Sequence, residues 1–199
     1  MKRFLMILLA AAFLTGCQAS EPGAAADLLL GTVEVQANDD SSQARYSLNS
    51  GARLSSFSTK YNTGNKNRTH NILLASETIS GTVLRPGEEF SFNKTLGSTG
   101  KDNGYKKATV YSGGAKAKNY GGGVCQVSST LFNAAEAAGM EITERHSHSL
   151  NVDYVEKGRD ATTSHNGKLD LKFKNPYHVP VVIHISNDNG TLSAEIHVM

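Results

Sequence analysis

A run of glycines followed by a helix of small residues constrains the fold most tightly. Gly121-Gly122-Gly123-Val124 leads into a helix predicted from Cys125 or Gln126 to Ala138, and Gly139 ends it. Most of the helix interior is serine or alanine, at positions 128, 129, 134, 135, 137 and 138. Because small side chains let neighbouring elements approach closely, we expect this helix to be buried at the centre of the domain.

A second helix and several strands complete the predicted fold. The helix should run from His70 to Ser80, with Thr69 as N-cap, Gly81 as its stop and one apolar face. That face comprises Ile72, Ala75 and Ile79. Leu84 to Gly87 is a turn signal. Period-two alternation predicts strands in the segments 89–92, 140–145, 169–174, 179–186 and 192–198.

The last two predicted strands flank Asn187-Asp188-Asn189-Gly190, which is a hairpin signal. The pattern as a whole predicts an α+β fold: a single domain with a central small-residue helix packed on antiparallel sheet and a C-terminal β-meander.

The N-terminus predicts export and a lipid anchor. Lys2 and Arg3 precede the apolar run from Phe4 to Leu14, which is too short to span a bilayer. The run ends in Leu14-Thr15-Gly16-Cys17, which resembles the lipobox of bacterial lipoproteins. The alternative is an ordinary signal peptide cut after Ala19. We expect residues 1–16 to be removed and Cys17 to be lipidated, which places the protein outside the cytoplasm on the cell membrane.

The segment that follows the lipobox is polar and lacks periodicity. Residues 17–53 are therefore predicted to be a tether, apart from a short strand predicted at Leu28 to Val35, and residues 54–199 form the domain. Loss of Lys2 and Arg3 leaves 18 basic against 18 acidic residues. Without a dense basic stripe interleaved with aromatics, nucleic acid is not an expected partner, and nothing in the pattern predicts more than a monomer.

With Cys17 lipidated, Cys125 has no partner for a disulfide within the chain. A lone cysteine is often a small buried hydrophobic residue. Here, however, it lies where a glycine loop meets a helix start, a position that stabilises a thiolate. Candidate donors to an oxyanion are the loop residues Gly122, Gly123 and Val124 together with Gln126.

A nucleophilic thiolate needs a base, and Glu144 to Ser149 contains two histidines. We expect His148 to be the base, with His146 as the second choice. Asp153 or Asp160 are candidates to orient it. A zinc site could in principle be built from His146, His148, His165 and the cysteine, but a second clear ligand pair is missing, so neither a metal nor another cofactor is expected.

These residues add up to a family resemblance. In chain order they are Phe57-Ser58-Thr59, Pro86-Gly87-Glu88, Phe90 to Asn93, Gly104-Tyr105, GGGVCQVSSTL at 121–131, Arg145 with His148-Ser149, and Gly158 to Ala161. The chain from about Phe57 onward resembles the VanW family. The resemblance implies a cell-wall role, since some VanW domains act as L,D-transpeptidases that use a cysteine, and it points to Tyr105 and Arg145 as substrate-binding residues. Residues Gly97 to Gly100 depart from the family pattern because they lack an expected Arg-Thr.

The leading expectation is therefore a lipid-anchored L,D-transpeptidase. Cys125 and His148 would crosslink the third residues of peptidoglycan stem peptides. Two alternatives remain open at this point. One is a cysteine peptidase or amidase that hydrolyses the same acyl-enzyme. The other is a non-catalytic binding module or glycopeptide-resistance accessory in which Cys125 is packed in the core.

Overall fold

The computed structural model describes residues 50–112, 115–164 and 168–199. The lipidation site Cys17, the tether to residue 49 and the strand predicted at Leu28 to Val35 lie outside the described residues. Within the described ranges, no helix combines the length and the apolar character needed to cross a membrane. The elements in chain order are β1 Arg53–Lys60, α1 Lys66–Ile79, β2 Val83–Leu84, β3 Glu89–Ser91, α2 Phe92–Leu96, a 3-10 turn at Lys101–Asn103, β4 Lys107–Ser112, β5 Ala115–Tyr120, α3 Val124–Ala137, β6 Glu141–Glu144, β7 Lys172–Lys174, β8 Val181–Asp188 and β9 Thr191–Val198.

The largest sheet is antiparallel, with the strand order β1-β9-β8-β2. Its centre is the hairpin of β8 and β9, whose turn residues Asn189 and Gly190 both have positive φ, 46° and 84°. Two positive φ values in a two-residue loop match the twist of the flanking strands, so the predicted hairpin is confirmed. Alternate residues of the two strands enter the core, namely Val181, Ile183, Ile185, Leu192, Ala194, Ile196 and Val198.

Helix α3 packs across β1 and β9, as its small residues predicted. Eleven of its residues are buried, including the polar Ser128, Ser129 and Thr130. The close approach is visible at Ser55 of β1, whose hydroxyl donates to the carbonyl of Ala134 at 2.6 Å. The helix begins at Val124, one residue before Cys125, the earlier of the two predicted starts, and Gly139 follows its end with φ of 70°. The central buried helix is confirmed.

Helix α1 begins four residues earlier than predicted. The side chain of Asn62 accepts from Gly64 N at 2.8 Å and its carbonyl accepts from Asn65 N at 3.2 Å, so a turn at Asn62 sets the helix start. The N-cap is therefore Asn65 rather than Thr69, whose N–H already donates to the Asn65 carbonyl. The predicted apolar face of Ile72, Ala75 and Ile79 is fully buried.

A smaller antiparallel sheet has the order β3-β7-β6. Phe173 of β7 pairs with Phe90 on one side and Ile142 on the other, and the rings of Phe90 and Phe173 lie 4.8 Å apart. Strand β7 therefore belongs to a different sheet from the C-terminal hairpin. The part of the predicted meander that forms is the hairpin of β8 and β9. The α+β class itself is confirmed. Strand β3 stops at Ser91, one residue before the predicted end, because the Ser91 hydroxyl caps α2 by accepting from Lys94 N.

Four strands were not predicted: β1, β2, β4 and β5. Strand β1 is rich in serine, and its inward Thr59 pairs with the hydroxyl of Thr130 in α3 at 2.8 Å instead of presenting an apolar side chain. Strands β4 and β5 form a separate two-stranded hairpin. All of β5 except Tyr120 is exposed, so it shows no alternation of apolar and polar residues.

Candidate active site

The loop before α3 is built for close packing. A β-carbon on Gly122 would lie 2.6 Å from the carbonyl oxygen of Thr109, and one on Gly121 would lie 2.8 Å from the Thr99 side chain. Gly123 is the N-cap of α3 and has φ of 112°, a backbone region that L side chains rarely adopt. The glycines thus let the loop pass against β4, which places Cys125 in the first turn of the helix. There its sulfur is close to the positive end of the helix dipole.

Cys125, His148 and Asp160 come together at this helix end. The imidazole of His148 forms a hydrogen bond with the Cys125 side chain. The Nδ1 atom of His148 lies 2.7 Å from Asp160 Oδ2, and the backbone N–H of His148 donates to the same oxygen at 2.6 Å. Because the carboxylate accepts the Nδ1 proton, Nε2 is left for the sulfur. The three side chains have the nucleophile–base–orienter arrangement of a catalytic triad.

The electrostatics of the three groups favour a charged pair. Burial by itself raises the pKa of the Cys125 thiol, but the hydrogen bond and charge of His148, together with contacts to Thr163 and Thr162, outweigh burial and hold that pKa below its ordinary value. Burial likewise lowers the pKa of His148, while Cys125 and Asp160 together hold it above its ordinary value. For Asp160, burial raises the pKa and the two hydrogen bonds from His148 bring it below the usual range. The arrangement therefore stabilises thiolate and imidazolium.

Asp160 is fixed by Arg145, which corrects the predicted role of that arginine. Arg145 Nε donates to the Asp160 carbonyl at 2.7 Å, and Nη2 donates to the Gly158 carbonyl at 2.8 Å. The same Nη2 lies 3.4 Å from Asp160 Oδ1, and the guanidinium stacks over the Phe132 ring at 4.9 Å. These contacts use Nε and Nη2 of the guanidinium, and Arg145 does not line the pocket at Cys125. It positions Asp160 and is not placed to bind substrate.

The other two candidates for base and orienting acid lie elsewhere. His146 Nε2 is 2.9 Å from Glu144 Oε1, and its side chain is 39% exposed. Its backbone carbonyl instead accepts from Thr162 N at 2.7 Å, which ties the two segments of the site together. Asp153 is exposed and makes no hydrogen bond with His148 among the described residues. The structure therefore brings His148 and Asp160 to Cys125, and neither His146 nor Asp153.

The loop offers backbone donors for an oxyanion. Val124 N donates to the Gly121 carbonyl and Gln126 N to the Gly123 carbonyl, both at 3.0 Å. The amides of Gly122, Gly123 and Cys125 have no acceptor among the described residues. The amides of Gly123 and Cys125 flank the start of the helix, where a developing negative charge is favoured. Of the predicted donors, Gly122 and Gly123 have an N–H without an acceptor in the described part of the chain, whereas that of Val124 is used within the loop.

The predicted oxyanion role of the Gln126 side chain is wrong. Its amide nitrogen donates to Thr59 Oγ1 at 2.8 Å and to the Lys60 carbonyl at 3.0 Å. Its oxygen accepts from Arg68 Nη2 at 2.6 Å, and the residue is 1% exposed. With both amide hydrogens used inside the protein, Gln126 anchors α3 to β1.

The predicted substrate-binding role of Tyr105 also does not agree with its position. Tyr105 is 4% exposed, belongs to the hydrophobic core, and does not line the pocket at Cys125. Burial raises its pKa to about 12, which keeps the phenol neutral. The Gly-Tyr motif is thus a packing feature of the loop after the 3-10 turn rather than a substrate contact.

A pocket of about 220 Å³ opens at Cys125. Cys125 is partly exposed as a residue and lines this pocket. Sequence reasoning missed several of its residues, among them Arg68 from α1 and Tyr154. No local pattern marks them, because both reach the pocket only through the packing of distant segments. The sulfur also lies 3.7 Å from Thr162 Oγ1 and 3.6 Å from the Thr163 carbonyl.

No group of three or more metal-binding side chains is found in the part of the chain that the structure describes. His165, a conceivable zinc ligand in the sequence, lies outside that part of the chain.

Comparison with known proteins identifies the family. The family described as "VanW like protein" matches residues 67–197, well over half of the chain. The chain belongs to the VanW family. A prokaryotic membrane lipoprotein lipid attachment site matches residues 1–18, in agreement with a lipid anchor at the N-terminus.

Two curated relatives share the VanW region. The chain is 43% identical over 140 residues to "Uncharacterized protein YoaR" of Bacillus subtilis strain 168, which covers 70% of the chain and 46% of that protein. It is 31% identical over 137 residues to "Vancomycin B-type resistance protein VanW" of Enterococcus faecalis V583, which covers 66% of the chain and 49% of the relative. The chain thus spans about half the length of these relatives. No solved structure matches it significantly.

Within this VanW domain, the segment from Gly97 to Gly100, for which the resemblance predicts a departure from the family pattern, lies at the site. Gly97 and Thr99 line the pocket, and Thr99 packs against Gly121 of the cysteine loop. The altered loop therefore borders the space that a ligand would occupy beside Cys125.

Proposed function

We propose that this protein is an extracytoplasmic, lipid-anchored L,D-transpeptidase that uses Cys125 as its nucleophile on peptidoglycan stem peptides. The observation that carries the proposal is the grouping of Cys125, His148 and Asp160 at a helix N-terminus that faces an open pocket. The family supports a role at the cell wall, and the lipid attachment site supports a location on the outer face of the membrane.

In the first half-reaction, the Cys125 thiolate attacks the carbonyl carbon of the third stem residue. A C–S bond forms, and the negative charge moves to the carbonyl oxygen, where the free amides of Gly123 and Cys125 are available as donors. The tetrahedral intermediate then collapses. Its C–N bond breaks, and the His148 imidazolium gives its Nε2 proton to the departing amine of D-Ala.

In the second half-reaction, an amine from the side chain of another stem attacks the thioester. Neutral His148 accepts the proton of that amine, an amide bond forms, and the Cys125 thiolate is released. Asp160 stays ionised throughout, because the hydrogen bonds from His148 hold its pKa below the usual range. The carboxylate keeps the ring oriented with Nδ1–H toward it. The product is a crosslink between two third residues.

The name of the Enterococcus relative refers to vancomycin resistance. A link formed at the third residue does not use the terminal D-Ala-D-Ala of a pentapeptide donor. A crosslinking enzyme of this kind would therefore fit a function that is connected with such resistance.

The direct test is acylation of Cys125 by a carbapenem, followed by intact mass. The wild type should gain the mass of one carbapenem, and the Cys125→Ser variant should gain none. An adduct on both proteins, or on neither, would contradict the cysteine mechanism. His146→Gln is the matched control, since it removes a histidine from the same segment without touching the triad, and it should be acylated like the wild type.

Transfer is distinguished from hydrolysis by the products formed from purified tetrapeptide stems. A transpeptidase yields dimers joined at the third residue, and these should disappear with Cys125→Ser. If only shortened tripeptide stems accumulate, the enzyme is a hydrolase. If the stems are unchanged while the thiol of the folded protein is inert, a non-catalytic role is supported.

A further inference from the structure

The pocket at Cys125 contains a cation that the triad does not use. Arg68 lies in the first turn of α1 and lines the same pocket as Cys125 and His148. Its Nη2 donates to Gln126 Oε1 at 2.6 Å, and its Cζ lies 6.0 Å from the centre of the Tyr154 ring. The guanidinium is therefore held from two sides, by an amide oxygen and by an aromatic ring.

These contacts fix Arg68 without neutralising it. Among the described residues, only one of its five N–H donors has a hydrogen-bond partner and no carboxylate forms an ion pair with it. None of the described residues that line the pocket is an aspartate or a glutamate. A positioned, unneutralised arginine in a partly enclosed space is suited to a planar anion, because its fork of donors matches a carboxylate in two places.

The location of Arg68 relative to the nucleophile limits which carboxylate it can reach. The side chain packs against Gly123, where a β-carbon would lie 3.0 Å from Arg68 Cγ, and bonds to Gln126. These two residues lie on either side of Cys125 in the chain. A carboxylate one residue beyond the attacked carbonyl is about 3.8 Å further along a peptide, so it remains in the neighbourhood of the sulfur.

We infer that Arg68 is a specificity-determining residue that binds the C-terminal carboxylate of the residue expelled from the donor peptide. The inference rests on the proposed function, since it specifies that the site recognises the C-terminal carboxylate of the donor peptide. It restricts the donors to peptides in which a free carboxylate follows the scissile bond directly. Extended or amidated peptides would leave Arg68 unpaired in the pocket, which is costly for a partly buried charge.

A test that needs no turnover compares two alkylating reagents. Iodoacetate and iodoacetamide react with the same thiolate and differ in one carboxylate. The rate constant for iodoacetate divided by that for iodoacetamide, both measured at Cys125, should fall about tenfold in Arg68→Gln, as expected for loss of a hydrogen-bonded charge. It should fall less in Arg68→Lys, which keeps the charge without the fork. Arg85→Gln, which removes an exposed arginine outside the pocket, should leave the ratio unchanged. An unchanged ratio in Arg68→Gln would overturn the inference.

A second measurement uses a stem tetrapeptide ending in D-Ala, as the free acid and as the C-terminal amide. Binding by calorimetry to the Cys125→Ala protein should be about tenfold weaker for the amide, and the difference should vanish when Arg68→Gln is added. Equal affinity for the two peptides would refute the role of Arg68 even if the double variant does not fold. Failure of the wild type to form any acyl-enzyme would instead refute the proposed function, so the two failures are distinguishable.

Discussion

Two histidine–carboxylate pairs lie close together in the chain, and their difference shows what makes a site. In the first, His146 Nε2 lies 2.9 Å from Glu144 Oε1, and the side chains are 39% and 25% exposed. In the second, His148 Nδ1 lies 2.7 Å from Asp160 Oδ2, and the side chains are 4% and 10% exposed. The chemistry and the distance are nearly the same. Burial, and the presence of Cys125 beside only one of the rings, separate them.

The pairs also differ in what else holds the carboxylate. Glu144, which is half-buried, bonds with Lys172 at 2.8 Å and accepts from Asp170 N at 3.0 Å, as well as bonding with His146. Asp160 accepts two hydrogen bonds from His148 and is fixed by Arg145. The first pair is an ordinary surface ion-pair network. The second has the properties of a preorganised site, in which each group has one available orientation.

The largest expected difference concerns the two histidines. His148→Gln should slow acylation of Cys125 by a carbapenem about 100-fold or more at pH 7, because it removes both the proton acceptor and the charge that holds the thiol pKa down. His146→Gln should stay within about twofold of the wild type. Stopped-flow or time-resolved intact mass measures both. Equal losses in the two variants would show that the comparison does not reflect function.

A smaller difference is expected for the two carboxylates. Asp160→Asn keeps the size of the side chain but weakens the hold on Nδ1–H, and we expect acylation to slow about tenfold. Glu144→Gln should leave the rate unchanged. A wild-type rate in Asp160→Asn, with the fold intact by circular dichroism, would remove Asp160 from the mechanism and reduce the site to a dyad.

The smallest expected effect is on stability. It concerns the Glu144–His146 pair, whose loss should change the free energy of unfolding. Hydrogen bonds from Lys172 and His146 lower the pKa of Glu144 to about 2, although partial burial opposes the shift. A carboxyl group with a lowered pKa adds stability above its unfolded pKa, and that stability is lost as the pH falls toward 2.

Glu144→Gln should therefore reduce the free energy of unfolding by about 1 kcal/mol or less at pH 7. The two proteins should converge in acid. Denaturant unfolding across the pH range measures this, with Glu141→Gln as the exposed control on the same strand. A gap between wild type and Glu144→Gln that persists below pH 2 would mean that charge is not its cause.

The elements with strong local patterns were predictable. The small-residue helix α3, the hairpin of β8 and β9 and the buried face of α1 follow from periodicity and turn chemistry. Strands β1 and β5 were not, because β1 contributes Thr59 to a buried polar network and β5 is almost wholly exposed. In both cases the strand is defined by its pairing partner, which local sequence does not contain.

The site divides in the same way. The position of Cys125 after the glycine loop is local, so sequence alone marks it as the candidate nucleophile and narrows the base to two histidines. The roles of Gln126, Tyr105 and Arg145 were predicted from neighbouring motifs. In the structure Gln126 anchors α3 to β1, Tyr105 packs in the core and Arg145 holds Asp160.

The sequence by itself determined the lipid attachment motif, the family, and the candidate thiol at a helix start. Each of these depends on residues that are adjacent or regularly spaced. Only the tertiary structure decided that His148 rather than His146 meets Cys125, that Asp160 rather than Asp153 orients it, and that Arg68 enters the pocket. The physical reason is that hydrogen bonding and burial between segments 12 to 58 residues apart depend on how α1, α3 and the 145–164 segment pack, and no local pattern encodes that packing.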